Sequence, residues 1–525
     1  MSTFVDLRTA GQPTAVRADI CIVGAGAAGI TLARYLGKHN VQVLLLESGG
    51  LTLEGETQSL YKAEQHGVKY YDLAACRLRY FGGTTNHWAG YCHPYTHNTY
   101  SGRPELGVPA WPIQEGEIKP YIDRAAQDLG FNIDSFSAAH EALKDGVDPQ
   151  QLPDRSSKDI YTQVFQLTRK PRQGQIWRDH LAGLPNVQVL LHANVTHINL
   201  NKDGKRVTSL SVKSLGGQSF SVEATTFVLA AHAIENARLL LDSNDVVPTG
   251  IGNEHDHVGR YFMEHPKLIS GRFFPNERFL RLYDGGTIHT LIRNANLGLT
   301  ESCIKREAIL DYYCRFLPVA EFEQTQDAAR QLKAAFWKPA DMKALKALGQ
   351  VVGDIPGLYN YALSKWARVP ITGSAFNLDH RIEQAPNRDS RITLSNERDV
   401  LGCRKVVLNW SFSDLDYKTY AKGQEILIKE LTRLKLGTVV APPLVPDVIN
   451  SMVKGNNHHI GTARMSKDAS DGVVDANLKV HGIDNLYVAG SAVFPTSGHS
   501  VPTMIIMAFS IRLSDHLIRV HRRTT

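Results

Sequence analysis

The six cysteines of this chain, at 21, 76, 92, 303, 314 and 403, include no Cys-x-x-Cys pair. That excludes a dithiol redox motif or zinc ribbon, argues against a disulfide framework, and makes a reducing compartment the expectation. No apolar run is long enough to span a bilayer. The start, M-S-T-F-V-D-L-R-T-A-G-Q-P-T, lacks the basic residues, apolar core and small-residue cleavage site of a secretory signal. A cytoplasmic protein with no transmembrane segment is therefore expected. Dense Lys/Arg blocks are missing as well. The net charge of +6 is spread over 525 residues, which gives no footprint for nucleic acid but leaves room for an acidic substrate. Internal repeats and low-complexity tracts are also absent.

What is present suits a globular enzyme: 43% hydrophobic and 21% charged residues, in a chain too long for one ordinary core. Two domains are the default. Residues 18–23 form a short, mostly apolar run, followed at once by Gly24-Ala25-Gly26-Ala27-Ala28-Gly29, an alanine-rich amphipathic stretch at 30–37, a second apolar run at 41–46, and Glu47-Ser48. Strand, tight turn, helix, strand and acid are the context a G-x-G-x-x-G needs to bind a dinucleotide. Gly24 allows the turn, Gly26 admits the pyrophosphate, and Gly29 lets helix and strand pack closely. The helix N-terminus beginning at Ala27 offers N–H groups to phosphate, and Glu47 would accept from the adenosine ribose.

The far end of the chain carries a second signal. It reads N-H-H-I-G-T-A-R-M from Asn457, then L-Y-V-A-G-S at 486–491, then Pro502-Thr503 opening an apolar helix. A histidine pair before a small-residue turn, and a glycine turn after a short strand, suit closure over the reactive ring of a cofactor. The two termini together favour a long cofactor lying across the sheet, FAD, over an exchangeable nicotinamide.

These segments resemble the glucose-methanol-choline (GMC) family of FAD-dependent oxidoreductases. The likeness is carried by the N-terminal fingerprint, R-L-R-Y-F-G-G-T-T-N-H-W at 77–88, V-L-A-A-H-A-I-E-N-A-R-L-L-L at 228–241, and the tail. Weaker signs are W-P-I at 111–113 with Pro120-Tyr121, and V-G-R-Y-F-M-E-H-P at 258–266; the stretch from about 275 to 370 carries almost none. The resemblance implies an α/β fold: a Rossmann-type FAD-binding domain built from discontinuous segments, plus an α+β substrate domain whose antiparallel sheet roofs the flavin. We expect the first at 1–111, 186–270 and 441–525, and the second at 112–185 and 271–440. Short strands at 187–191, 195–200, 206–213, 220–222, 391–395 and 406–412, and a helix at 415–435, follow from periodicity.

The resemblance also assigns roles. Gly83, Thr84, Asn86, His87 and Trp88 would wrap the flavin ring, with Val195, Ala231, Gly490, Ser491, Pro502 and Thr503 completing the FAD contacts. Asn86-His87-Trp88 looks like the Thr-His-Trp by which pyranose oxidases carry flavin covalently, so His87 is a candidate for a covalent link. The base that takes the hydroxyl proton falls on His458, with His459 as the fallback; histidine suits this because its ordinary pKa is near neutral. Two positions depart from the family. Val501 stands where a His or Asn usually holds the substrate oxygen, and its side chain can neither donate nor accept, which leaves His499 as a substitute through a shifted loop, or a group of the substrate to fill the gap. Gly490 replaces a frequent acid, so the contact there would come from backbone or from Ser491.

His93 and His97 follow the flavin loop without a carboxylate or cysteine frame, so no metal is expected. The segment 328–348 is amphipathic and, with Tyr359, Tyr361 and Trp366, reads as packing within the substrate domain. The expected activity is oxidation of a hydroxyl group on a sugar, glycoside or other small metabolite. A dehydrogenase is favoured over an oxidase, and electrons would pass to oxygen, a quinone or a redox protein. A lyase-type reaction beside a flavin that stays oxidised is the alternative, and a flavoprotein scaffold a more distant one.

Overall fold

The computed structural model describes residues 3–9, 15–132, 136–144, 146–276, 279, 281–283, 293–319 and 375–524. The amphipathic segment 328–348 and the aromatics at 359, 361 and 366 lie outside them.

The first layer grows from near-continuous apolar runs. Val43–Leu46 is buried at every position, as a strand covered on both faces must be. Five strands run parallel in the order Val187–Leu191, Val43–Leu46, Ala15–Val23, Ser219–Leu229, Leu486–Val488. In sequence order this is 3-2-1-4-5, the doubly wound arrangement whose ligand crevice opens beyond the first and fourth strands, where the order reverses. The fifth strand is contributed by the tail, which is how both termini reach one crevice. Phe4–Asp6 extends the far edge. Asn194–Leu200 and Val207–Lys213 form an antiparallel extension on the long strand Ser219–Leu229, into which the expected short strand at 220–222 merges.

The second layer is a sheet in the order Gly437–Val440, Lys267–Pro275, Phe376–Ile382, Tyr312–Pro318, Arg293–Leu299, Ile160–Leu167, Tyr91–Cys92, antiparallel throughout. Its alternation gives two unlike faces. Leu268, Leu297, Cys314, Phe316 and Leu378 join a core under the helix Asp414–Arg433. The other face carries Lys267, Asn294, Asn296, Arg315 and Arg381, beside the rings of Phe165 and Tyr313. A third, small sheet pairs Arg391–Arg398, Arg404–Trp410 and Glu64–Gly67.

The stretch expected to serve the roof alone divides between the layers. Of 112–185, the strand Ile160–Leu167 enters the roof, but Glu115–Asp128 packs on the C-terminal helix Thr503–Thr524 and Gln173–Ala182 on Ala27–Leu36. The reason is apolar: Ile118, Ile122, Ala125 and Leu181 are buried in the same core as the nucleotide sheet. Arg34, itself buried, ties this packing with two bonds to Asp128 at 3.0 and 3.2 Å. Ile392, Val406, Leu408 and Trp410 likewise belong to that core. No helix among the described residues is long and apolar enough to cross a membrane.

Candidate active site

The glycine loop after Ala15–Val23 shows three separate constraints. Gly24 has φ +101°, and a Cβ there would lie 2.6 Å from the Ala230 carbonyl. At Gly29 a Cβ would lie 1.9 Å from the Gly24 carbonyl, so the third glycine serves helix packing and does not line the crevice. At Gly26 a Cβ would meet no protein atom within 4 Å. Nothing in the protein demands glycine at that point, whereas a phosphate group approaching the N-terminus of Ala27–Leu36 would. Gly490 combines the two features, a φ of +95° as at Gly24 and open space around the missing Cβ as at Gly26.

These loops border a cleft of about 1510 Å³, its mouth included, which gathers Ala27, Glu47, Ser48, Val195, Ala231 and Gly490. Gly83, Thr84 and Trp88 close it from the N-terminal side, and Ser491, Pro502 and Thr503 from the tail. Glu47 Oε1 accepts from the Gly49 N–H at 2.9 Å and the Ser48 hydroxyl at 3.3 Å, while Oε2 accepts only from the Ala25 N–H at 2.9 Å and keeps a lone pair for a ribose hydroxyl. The Ser491 hydroxyl is committed elsewhere, donating to the His459 carbonyl at 2.7 Å. Two expected contacts fall outside the cleft. Asn86 turns its amide onto the Phe81 carbonyl at 2.9 Å, and His87 lines a neighbouring chamber instead.

That chamber, about 1040 Å³ with its mouth, lies under the polar face of the roof sheet and includes Val501. Cleft and chamber share four residues: Thr84, Trp88, Asn457 and His458. His458 thus stands where the two spaces meet.

Its protonation is dictated by a relay. The His265 Nε2 lies 2.9 Å from the Ser497 carbonyl, which can only accept, so Nε2 carries the proton. With His265 neutral, its Nδ1 is then an acceptor, and it lies 2.9 Å from His458 Nδ1. His458 must donate there, which leaves its Nε2 with a lone pair. The Asn456 amide is 3.4 Å from the same Nδ1, at the margin of hydrogen bonding, so His265 rules. Burial pushes His265 down to about 4, and burial, followed by His265, Arg381 and Lys267, pushes His458 well below its ordinary value. Both rings are therefore neutral at pH 7.

His459 has a different task. The Ile234 N–H donates to His232 Nδ1 at 3.3 Å, so His232 donates from Nε2 to His459 Nδ1 at 2.9 Å, and His459 in turn donates to Tyr70 Oη at 2.8 Å. Tyr70 closes the series on Glu264 Oε1. His459 is 3% exposed with both nitrogens engaged, so it is not placed to take a substrate proton. His499 fails for a similar reason. It is also 3% exposed, bonded to Asp311 at 3.2 Å and to Gln163, and it borders neither space. It does not replace what Val501 lacks.

Glu264 anchors the whole loop: it accepts from the backbone N–H groups of His265, Asn456 and His458 at 2.9, 3.1 and 3.0 Å. Beneath the cleft, Arg77 pairs with Glu235 at 2.7 Å and lies 3.9 Å over the Tyr61 ring. Burial alone would raise Glu235, but Arg77, Arg238 and Arg79 hold it down to about 2. Glu264, His265, Arg77, His232 and Glu235 lie in segments that carry the family likeness, but the sequence marks them only by a Glu-His-Pro step at 264–266 and an arginine opening the flavin loop at 77. His93 lies against Phe165 and His97 against Glu115, apart from each other.

Two models of the family described as GMC oxidoreductase match residues 63–267 and 386–510, and one of an NAD(P)-binding Rossmann-like domain matches 22–63. The fructose dehydrogenase large subunit of Gluconobacter japonicus is 24% identical, over 95% of this chain and 98% of that protein. The 6'''-hydroxyparomomycin C oxidase of Streptomyces lividus is 22% identical, over 94% of this chain and 90% of that protein. Among solved structures, a formate oxidase of Aspergillus oryzae shares the fold with a TM-score of 0.58 at 17% identity, over 98% of this chain and all of the other.

Proposed function

Because this chain belongs to the GMC oxidoreductase family, we propose that it is an FAD-dependent enzyme that oxidises the carbinol of a small hydroxylated metabolite, with His458 as the base. Bound FAD supplies, at its N5, an acceptor for the hydride leaving the carbinol carbon. The residues that would hold it are the Gly24–Ala27 turn, Glu47, Gly83, Thr84, Val195, Ala231 and the turn at Gly490. Trp88 and Pro502 would limit water near the reacting carbon. His458 Nε2 accepts the hydroxyl proton, and His265 keeps that nitrogen unprotonated by holding the other one.

The observation that carries this reading is the position of His458: it borders both cofactor cleft and chamber, and the relay from the Ser497 carbonyl leaves its Nε2 as an acceptor. The substrate class is supported by the relatives, whose names include a fructose dehydrogenase large subunit and a 6'''-hydroxyparomomycin C oxidase. We take dehydrogenase over oxidase, the roof layer as the substrate domain, and the cytoplasm as the compartment, in keeping with six free, buried cysteines.

The test is the visible spectrum of the purified protein, recorded anaerobically with sugars, sugar acids and alcohols. The expected result is bleaching in the wild type and none in His458→Ala with FAD still bound. Slow recovery in air would favour the dehydrogenase. A flavin reduced by dithionite but by no hydroxyl compound overturns the oxidation and leaves the lyase-type reaction.

A further inference from the structure

The polar face of the roof sheet is cationic where it covers the chamber. Lys267, Arg315 and Arg381 come from three strands, and the register sets Lys267 beside Arg381 and Arg315 beside Asp379. No Asp or Glu borders the chamber among the described residues. The roof acid Asp379 pairs with Arg381 through one oxygen, which takes both Arg381 bonds, at 3.1 and 2.9 Å, and stands 3.9 Å from Arg315; its other oxygen is buried without a hydrogen-bond partner. Glu264 is fully buried and engaged by Tyr70 and three backbone N–H groups. The Lys267 ammonium has no ion pair or hydrogen bond among the described residues, although it is largely shielded from water. A half-buried cation without a partner is costly, and its cost calls for a compensating anion.

The neighbouring polar atoms point the same way. Arg315 Nε and the side-chain oxygens of Asn294 and Asn296 are buried without a hydrogen-bond partner, and all three residues border the chamber. An arginine donor suits an oxyanion, and amide acceptors suit hydroxyl groups. We propose that the substrate is an acidic polyol, whose carboxylate or phosphate is held by Lys267, Arg315 and Arg381 while its reacting hydroxyl lies at His458. This specificity rests on the oxidation proposed above.

The experiment uses the FAD-loaded protein with four probes: gluconate, glucose 6-phosphate, glucose and sorbitol. The wild type is compared with Arg315→Gln and Lys267→Gln, using the bound-flavin spectrum as the control for folding. These variants leave the Arg381–Asp379 pair intact. At least one acid probe should bleach the flavin with a lower KM than either neutral probe, and that KM should rise with ionic strength. Each variant should raise it roughly 10- to 100-fold with kcat little changed. Which of gluconate and glucose 6-phosphate responds identifies carboxylate or phosphate as the anion. Neutral probes used as well as the acids, or variants that lower kcat on acids and neutral probes alike, would overturn the inference while leaving the oxidation standing; in the second case the cations act on the reacting oxygen. An acid that bleaches nothing but perturbs the flavin spectrum saturably, more weakly in Arg315→Gln, would keep the anion site and sink the oxidation. Failure of both acids to bind overturns the site.

Discussion

His265 and His458 face each other Nδ1 to Nδ1 at 2.9 Å, a separation that accommodates a single proton between two neutral rings. The Ser497 carbonyl decides its owner, because it fixes the proton of His265 on Nε2. Replacing His265 by leucine removes the acceptor and frees His458 to bear its proton on either nitrogen. We expect His265→Leu to keep FAD and to lose activity, with the acid limb of its pH–rate profile moved upward. The direction follows because the His265 ring is among the causes that lower His458. A profile unchanged in shape would deny His265 this role.

The two adjacent tail histidines should separate by readout. His458→Ala should cost about 10²–10⁴ in kcat, the usual worth of a general base, with little effect on stability. His459→Ala should act on the fold instead, since it leaves the His232 Nε2 proton without its acceptor and Tyr70 Oη without its donor in a buried series. A loss of about 2–4 kcal/mol is expected, from unsatisfied polar groups and a cavity. Thermal melts and single-turnover flavin reduction on the two proteins check both halves.

Stability should fall as the solution is acidified through the histidine range. Burial holds His265 and His380 down to about 4, and His93 and His232 down to about 3, against an ordinary value of 6.5. Between 6.5 and these values the unfolded chain binds protons that the folded one refuses, so stability drops as pH falls. The contribution is complete above pH 6.5 and is progressively lost below it. Melting temperature measured from pH 7.5 to 4.5 should decline most steeply in the lower half of that range.

Legibility in the sequence followed the distance over which each feature is made. The nucleotide unit lies within residues 18–47, and its glycines, helix and acid are all local, so spacing alone identified it. The tail histidines were readable as a pair, but their division of labour was not. It depends on His265, 193 residues from His458, and on His232, 227 residues from His459. The roof was the least legible part. The run Tyr312-Tyr313-Cys314-Arg315-Phe316 shows that a strand has two faces, yet only pairing with Asp379 and Arg381 turns its polar face into a chamber wall. Helix Glu115–Asp128 lies in the stretch 112–185 that the resemblance assigned to the substrate domain, but it packs on the C-terminal helix, a pairing that only the folded chain reveals.

The flavin link is tested by acid. His87 borders the chamber and not the cleft that the glycine loops enclose. Acid precipitation should therefore release free FAD from the wild type, and His87→Ala should hold as much FAD as the wild type. Flavin that stays with the precipitate, and is released only in His87→Ala, would establish the covalent link.

The two inner glycines give the sharpest test of the cofactor site. A methyl group at Gly29 collides with the Gly24 carbonyl at 1.9 Å, so Gly29→Ala should unfold or strongly destabilise the protein whether or not FAD is supplied. A methyl group at Gly26 meets nothing of the protein within 4 Å. Gly26→Ala should therefore leave the FAD-free protein as stable as the wild type, or slightly more so, since alanine costs the unfolded chain some entropy. Its FAD content should fall, because the added methyl stands where phosphate must approach the backbone. Calorimetry of the stripped proteins and titration with FAD separate the two effects. Normal FAD affinity in Gly26→Ala would mean that the pyrophosphate does not pass over that turn.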